Sequence, residues 1–195
     1  MKVCWILWAV WYAYWLVSAR HRLRSSEVSA VKRESLAGRI GYQVMLIGGF
    51  ALMVWRLPVP LLQLRFLPSA DGWLAVGLAI EAAGLGFSIW ARRTLGKNWS
   101  ARITTGSVQE LIIRGPYRFV RHPIYSGLLL AVLGTAIAIG QVRALAGLLL
   151  IFTAIAIKIR REEAALRQHF GSAYEEYSHK IPALVPRFRF ETASR

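Results

Sequence analysis

The stretch GLLLAVLGTAIAIGQVRALAGLLLIFTAIAI, residues 127–157, decides the fold. A helix that crosses a bilayer needs about 20 apolar residues, with about 17–25 the usual range. This stretch is too long for one crossing and slightly short for two. Its main break is Gly140, Gln141, Val142 and Arg143, so it reads as a tight helical hairpin with spans at about 124–140 and 143–159. Working outward, Trp73 to Ala91 is apolar except for Glu81 and Ser88, Ile40 to Trp55 is uncharged, and Val3 to Ala19 carries no charge. The expectation is an all-α polytopic membrane protein of about five spans, near 3–19, 40–57, 73–91, 124–140 and 143–159. Arg56, Arg143 and Lys158 fall at span ends, where long cationic side chains reach water.

The composition agrees. Of 195 residues, 55% are hydrophobic, the mean hydropathy is +0.40 and the net charge is +15. Disorder is excluded, because it needs low hydrophobicity. The single cysteine, Cys4, excludes an internal disulfide framework and a multi-Cys zinc site, and no metal is expected. A basic chain also suggests a nucleic-acid binder, but the cations alternate by loop. Six lie between spans 1 and 2, two between spans 2 and 3, seven between spans 3 and 4, one in the hairpin turn and eight from Lys158 onward. That alternation is the positive-inside pattern, with the N-terminus out and the C-terminus in the cytoplasm. It leaves no role for nucleic acid.

At the N-terminus, Val17, Ser18 and Ala19 resemble a signal-peptidase site. Against cleavage stand an n-region with only Lys2, a span loaded with Trp5, Trp8, Trp11 and Trp15, and the arginines that follow. The four tryptophans share one helical face, read as a packing or lipid-facing stripe. Glu81 is a lone carboxylate within a span. It is either a functional group or a polar contact to a neighbouring helix. Gly84 and Gly86 have no preceding strand and read as a helix-packing feature, not a nucleotide loop.

Chemistry concentrates after residue 92, so the chain divides into N-terminal spans with a basic loop (1–91) and a catalytic region (92–195). Arg121 and His122 precede Pro123, which is suited to the first position of a helix. Backbone N–H groups at a helix start favour an anion. Tyr117 and Tyr125 lie nearby, and Gly127 permits close backbone approach. Where span 5 leaves the membrane, Glu162 and Glu163 stand among Lys158, Arg160 and Arg161; Lys158 and Glu162 have ion-pair spacing. The hairpin brings these two ends together. Donors for a carboxylate then face carboxylates for an amine, the polarity of a zwitterionic amino-acid group.

Gly115-Pro116-Tyr117, Arg121-His122-Pro123-Ile124-Tyr125 with Gly127, Glu162-Glu163, and Phe170-Gly171 with Tyr174, Tyr177 and Pro182 together resemble the isoprenylcysteine carboxyl methyltransferase family. More broadly, they resemble the membrane methyltransferases that include phospholipid N-methyltransferases. The resemblance covers roughly residues 90–186. It implies an S-adenosyl-L-methionine-dependent methyltransferase with no Rossmann domain and a cofactor pocket at the cytoplasmic ends of the last helices. By the resemblance, Gln109, Glu110, Leu111 and Ile112 run along the cofactor, and Tyr117 is an aromatic contact. His122, Pro123, Ile124 and Tyr125 form the pocket's centre, and Glu162 holds the cofactor with Glu163 beside it. Lys158 stands where the prenylcysteine enzymes have a substrate-carboxylate arginine. Lys is a point charge and not a bidentate fork.

Methyl transfer from a sulfonium is an in-line displacement that rests mostly on positioning. The expected acceptor is lipid-like or prenylated and enters from the bilayer, with carboxyl O-methylation favoured. Arg121 or Lys158 is expected to orient an anionic acceptor, and His122 to act as a donor in the cofactor pocket. The alternatives are methylation of a phospholipid or another lipophilic amine or thiol, an NADPH-dependent sterol-reductase-like enzyme, and a non-enzymatic transport subunit.

Overall fold

The computed structural model describes residues 1–23, 36–96 and 110–186, with side chains placed for 1–18, 40–96 and 110–186. The described residues form helices and connecting segments, with one isolated antiparallel bridge between Arg65 and Gln141. The helices are α1 (Lys2–Leu23), α2 (Leu36–Val54), the single turn α3 (Pro60–Gln63), α4 (Asp71–Leu95), α5 (Pro123–Ile139), α6 (Val142–Phe170) and α7 (Ser172–Lys180). A 3₁₀ turn at Gly115–Arg118 precedes α5. The all-helical expectation is met.

The hairpin forms where the sequence places it. Gly140 ends α5 at φ 64°, ψ 20°, a left-handed conformation that glycine adopts at little steric cost. Extended Gln141 then starts α6. The sequence expectation for the last span stops near 159, but α6 runs on to Phe170. Its 29 residues measure about 44 Å, against about 30 Å of bilayer hydrocarbon. The extension is polar yet rich in Arg, Glu, Ala and Leu, which are good helix formers. It carries the helix past the apolar zone until Gly171, at φ 53°, stops it.

The closest helix pair is α4 against α5, antiparallel, through small residues. A Cβ at Gly84 would lie 2.5 Å from the Gly127 carbonyl oxygen, and one at Gly77 would lie 2.6 Å from the Gly134 oxygen. Small residues let backbones approach and gain dispersion contacts where lipid offers no hydrophobic drive. The packing reading holds for Gly84, whereas Gly86 on the other face meets nothing within 4 Å. Gly127 allows close approach as expected, but what it meets is α4. In the same way α2 and α6 meet at Gly49 and Gly147. A core of Met53, Val132, Ala136, Ile139, Ile151, Ile155 and Ile159 fills the centre.

The tryptophan stripe is a packing stripe with polar anchors. Trp5 and Trp8 pack on the core. Trp8 Nε1 donates to Thr135 Oγ1 at 3.0 Å, and Trp11 Nε1 donates to Ser88 Oγ at 2.7 Å. Glu81 is fully buried and accepts from the Cys4 thiol at 2.8 Å and from Thr135 at 3.2 Å. It is the polar contact that joins α1, α4 and α5.

By length and composition, Asp71–Leu95 and Val142–Phe170 are long and apolar enough to cross a membrane, and Ile40–Val54 and Pro123–Ile139 are shorter apolar helices. Large apolar side chains cover the lateral surface: Val10, Ile47 and Leu149 are each more than 60% exposed. These features fit an integral membrane protein.

Candidate functional site

The local sequence explains how the site assembles. Pro123 opens α5, so the chain before it leaves the helix and His122 takes the N-cap position. The Arg121 N–H donates to the Pro182 carbonyl at 2.9 Å, and the His122 N–H donates to that of Ala183 at 3.0 Å. Ser126 Oγ donates to the Leu184 carbonyl at 2.6 Å. The segment after α7 is thereby strapped across the start of α5. The N–H groups of Arg121 and His122, expected to face an anion, are satisfied by this strap.

The paired acids lie opposite, on α6. Glu163 is buried in a cationic nest. Its Oε1 accepts from Arg121 Nη2 at 2.6 Å and Nε at 3.0 Å, and lies 3.2 Å from His122 Nε2. Its Oε2 accepts from Arg167 at 3.0 Å. The His122 hydrogen bond, with Arg121 beside it, holds the Glu163 carboxyl down at about 2. Arg121 Nη1 also donates to the carbonyls of Ser178 and Ile181, at 2.7 and 2.6 Å. The guanidinium therefore clamps α6, α7 and the strap together. Arg121, expected to orient an anionic acceptor, has Nε, Nη1 and Nη2 engaged by these partners.

Glu162 is placed differently. Its Oε1 accepts from the Tyr125 hydroxyl at 2.5 Å, its Oε2 lies 3.8 Å from His122 Nδ1, and its side chain is one quarter exposed. The rings of His122 and Tyr125 lie 5.8 Å apart and nearly parallel. Lys158 makes no ion pair with Glu162, although its spacing allows one. Its ammonium lies 5.4 Å from the Tyr125 ring centroid and 5.8 Å from that of Tyr42, within cation–π range of both.

The wall beside these groups comes from the 3₁₀ turn. Tyr117 is buried, packs with Ala91 and Ile112, and its carbonyl accepts from Tyr177 Oη at 2.7 Å. Burial pushes both phenols up, and pushes Tyr174 up to about 12, so all three stay neutral at physiological pH. Ile124 borders the same cluster. Glu110 is exposed, Leu111 half-buried and Ile112 buried. Gln109 lies outside the described residues. The structure thus brings Tyr117, His122, Pro123, Ile124, Tyr125, Lys158, Glu162 and Glu163 to one end of the bundle, with Ile112 behind Tyr117. Among the described residues, no group of three or more His, Cys, Asp or Glu is placed to hold a metal.

Three contributors escaped the sequence pattern. Tyr42 sits on α2, outside the motif-bearing half, and only its place near the end of an apolar run hinted at it. Ser126 and Arg167 look like ordinary helix residues; their partners are 58 and 4 residues away, on the strap and on Glu163.

Residues 73–173 match the family model for phospholipid methyltransferases. The chain belongs to that family. The match takes in α4, α5, α6 and the paired acids, which is the closely packed part of the bundle. A probable protein-S-isoprenylcysteine O-methyltransferase of Oryza sativa subsp. indica is 34% identical over 57% of this chain and 60% of its own length. The cobalt-zinc-cadmium resistance protein CzcN of Cupriavidus metallidurans is 31% identical over 69% of this chain and 62% of its own. A solved structure of a eukaryotic intramembrane Ras methyltransferase, isoprenylcysteine carboxyl methyltransferase, superposes with a TM-score of 0.57 at 23% identity. It covers 80% of this chain and 54% of that one, and shows the shared fold. The chain spans about 60% of the length of these two curated relatives.

Proposed function

We propose that this chain is an integral membrane methyltransferase that uses S-adenosyl-L-methionine to methylate the carboxylate of a lipid-like acceptor, as on a prenylated cysteine. The observation that carries this reading is the division of charge at one end of the hairpin. Glu162 is an accessible acid steered by Tyr125, and the Lys158 ammonium stands apart from it over two aromatic rings. The family membership and the methyltransferase names among the relatives support it.

The donor set fits a cofactor with an amino-acid tail. Glu162 takes the ammonium or the ribose hydroxyls, His122 lies beside it, and Tyr117 with Ile112 offers an apolar wall. Bound there, S-adenosyl-L-methionine supplies an electrophilic methyl group on a sulfonium. A carboxylate acceptor is already a nucleophile and needs no general base. What the chain contributes is orientation: Lys158 holds the acceptor anion, and the Arg121–Glu163 clamp keeps His122 and the strap in place. Positioning of this kind supplies a large part of the barrier reduction in displacement reactions.

The topology proposed with this function has five spans, the N-terminus out and the Glu162 site at the cytoplasmic side. Residues 1–91 form the membrane scaffold and 92–195 the catalytic region. The cation distribution supports this orientation.

The experiment pairs cofactor binding with turnover. Purified protein should be stabilised against heat by S-adenosylhomocysteine and not by NADPH, and should transfer a labelled methyl group to a prenylated cysteine with a free carboxylate. Stabilisation by NADPH alone would point to reductase chemistry, and stabilisation by neither to a non-enzymatic role. Transfer to a lipid amine with none to the carboxylate would move the acceptor class.

A further inference from the structure

The end of the bundle away from Glu162 carries a second charged cluster that methyl transfer does not use. A cleft of about 260 Å³ opens there between the loop before α4 and the hairpin turn, with Arg56, Arg65, Asp71, Trp73, Gln141 and Arg143 in its lining. The 17 residues of α5 separate the two ends by about 25 Å, close to the hydrocarbon thickness of a bilayer.

Three guanidinium groups share this cleft with one carboxylate. None of the ion pairs among the described residues takes up Arg56, Arg65, Arg143 or Asp71. Arg143 is buried, and neutral acceptors orient its charge without cancelling it. Nε donates to Gln141 Oε1 at 2.8 Å, and Nη1 donates to the carbonyls of Leu52 and Met53. Arg65 is aimed by its Nε bond to the Leu67 carbonyl at 2.9 Å. Arg56 stands near enough to Arg143 for the two charges to repel. The frame that holds them is built. The Phe66 N–H donates to Gly140 O at 3.0 Å, and the Val142 N–H donates to Leu64 O at 2.9 Å, locking the loop to the hairpin turn.

The segment that carries Arg56 and Arg65 is apolar and open, and Trp73 lines the cleft itself. Trp55, Leu61, Leu64 and Trp73 are all exposed, and α3 buries no residue. Exposed tryptophan and leucine beside arginine, at the end of apolar helices, is the composition of a membrane–water interface. The abundant anions at that depth are lipid phosphates.

We propose that Arg56, Arg65 and Arg143 form a binding site for the phosphate of a phospholipid headgroup, in the leaflet opposite the Glu162 site. The net charge of the four ionised groups, +2, favours an anionic lipid over a zwitterionic one. The site rests on the bilayer placement of the helices and not on the methyl-transfer reading. Inorganic phosphate shares the recognised chemistry; the exposed apolar residues of the same segment favour the lipid.

The test uses the full chain in detergent, with phosphatidylglycerol, phosphatidylcholine and inorganic phosphate as separate probes. Lipid retention is read by native mass spectrometry and stabilisation by thermal shift. The variant is R56Q/R65Q, because both side chains are exposed, while Arg143 holds backbone carbonyls. Phosphatidylglycerol retention should fall roughly thirtyfold in this variant, the size expected for two cations at an anionic surface. Phosphatidylcholine retention, weaker in the wild type, should fall less. The double variant R114Q/R118Q, on the other face, controls for general loss of charge and should keep most of the retention. Equal phosphatidylglycerol retention in the wild type and R56Q/R65Q overturns the proposal. Stabilisation of the wild type by inorganic phosphate, without a lipid difference, overturns the lipid as occupant. Recovery of the protein in the soluble fraction without detergent overturns the bilayer placement instead, and methyl transfer measured on the same samples stands apart from both.

Discussion

The hydroxyl of Tyr125, in the first turn of α5, donates to Oε1 of Glu162 on α6 at 2.5 Å. The bond fixes the one acid of the pair that remains accessible. Its neighbour Glu163 faces another way and is consumed by Arg121, His122 and Arg167. Adjacent residues on a helix point about 100° apart, so two acids together in sequence meet different surroundings. One is partly open to the surroundings, and the other braces Arg121, whose guanidinium reaches the strap at Ile181.

Glu162→Gln should therefore weaken S-adenosylhomocysteine binding by roughly tenfold or more, the range of a lost charge-assisted hydrogen bond. Its unfolding temperature should stay close to that of the wild type. Calorimetry on the purified protein measures the first quantity. Unchanged affinity would remove Glu162 from the cofactor site.

Glu163→Gln should act on stability first. Removing one member of a buried ion pair costs up to about 3–5 kcal/mol, because the remaining charge is left without its partner. A fall of several degrees in unfolding temperature is expected, with activity lost through misplacement of His122. The pH dependence has a definite sign. The folded carboxyl sits at about 2, below its ordinary 4.5, so the unfolded chain binds the proton more readily between those values. The contribution is fully present above about pH 4.5 and is lost as the pH falls toward 2. A thermal-melt series from pH 7 to pH 3 should show a decline in the wild type that is shallower in Glu163→Gln.

Lys158 separates acceptor from cofactor. Lys158→Met keeps the apolar stem and removes the charge, so KM for a carboxylate acceptor should rise about tenfold or more while S-adenosylhomocysteine affinity holds. Lys158→Arg should retain most of the acceptor binding. A raised cofactor dissociation constant in Lys158→Met would place this residue on the cofactor side.

The helix seam gives a paired comparison. Gly84→Ala would put a Cβ 2.5 Å from backbone atoms of α5 and should destabilise by about 1–3 kcal/mol, as overpacking does. Gly86→Ala, two residues on and open to the surroundings, should be neutral or stabilising by up to about 1 kcal/mol. Equal unfolding temperatures for the two variants would mean that α4 and α5 do not meet at this seam.

Much of this protein was legible in the chain because local forces set it. Apolar runs fixed the positions of the helices, Gly140 to Arg143 fixed the turn, and Pro123 fixed the start of α5 beside Arg121 and His122. The family motif pointed to the paired acids. The resemblance named Glu162 as the acid for the cofactor, but the sequence could not show that Glu163 is taken up by Arg121, His122 and Arg167, because that depends on the rotation of α6 against α5. Nor could it show that Lys158 would sit between Tyr42 and Tyr125 and not pair with Glu162. The strap from Ile181 to Leu184 over the start of α5 was equally hidden. Its bonds join residues some 60 positions apart, through backbone carbonyls that carry no signature in the sequence. Helix periodicity and charge placement are properties of neighbours along the chain. The different surroundings of Glu162 and Glu163 are a property of neighbours in space, and only the close approach of packed helices decides them.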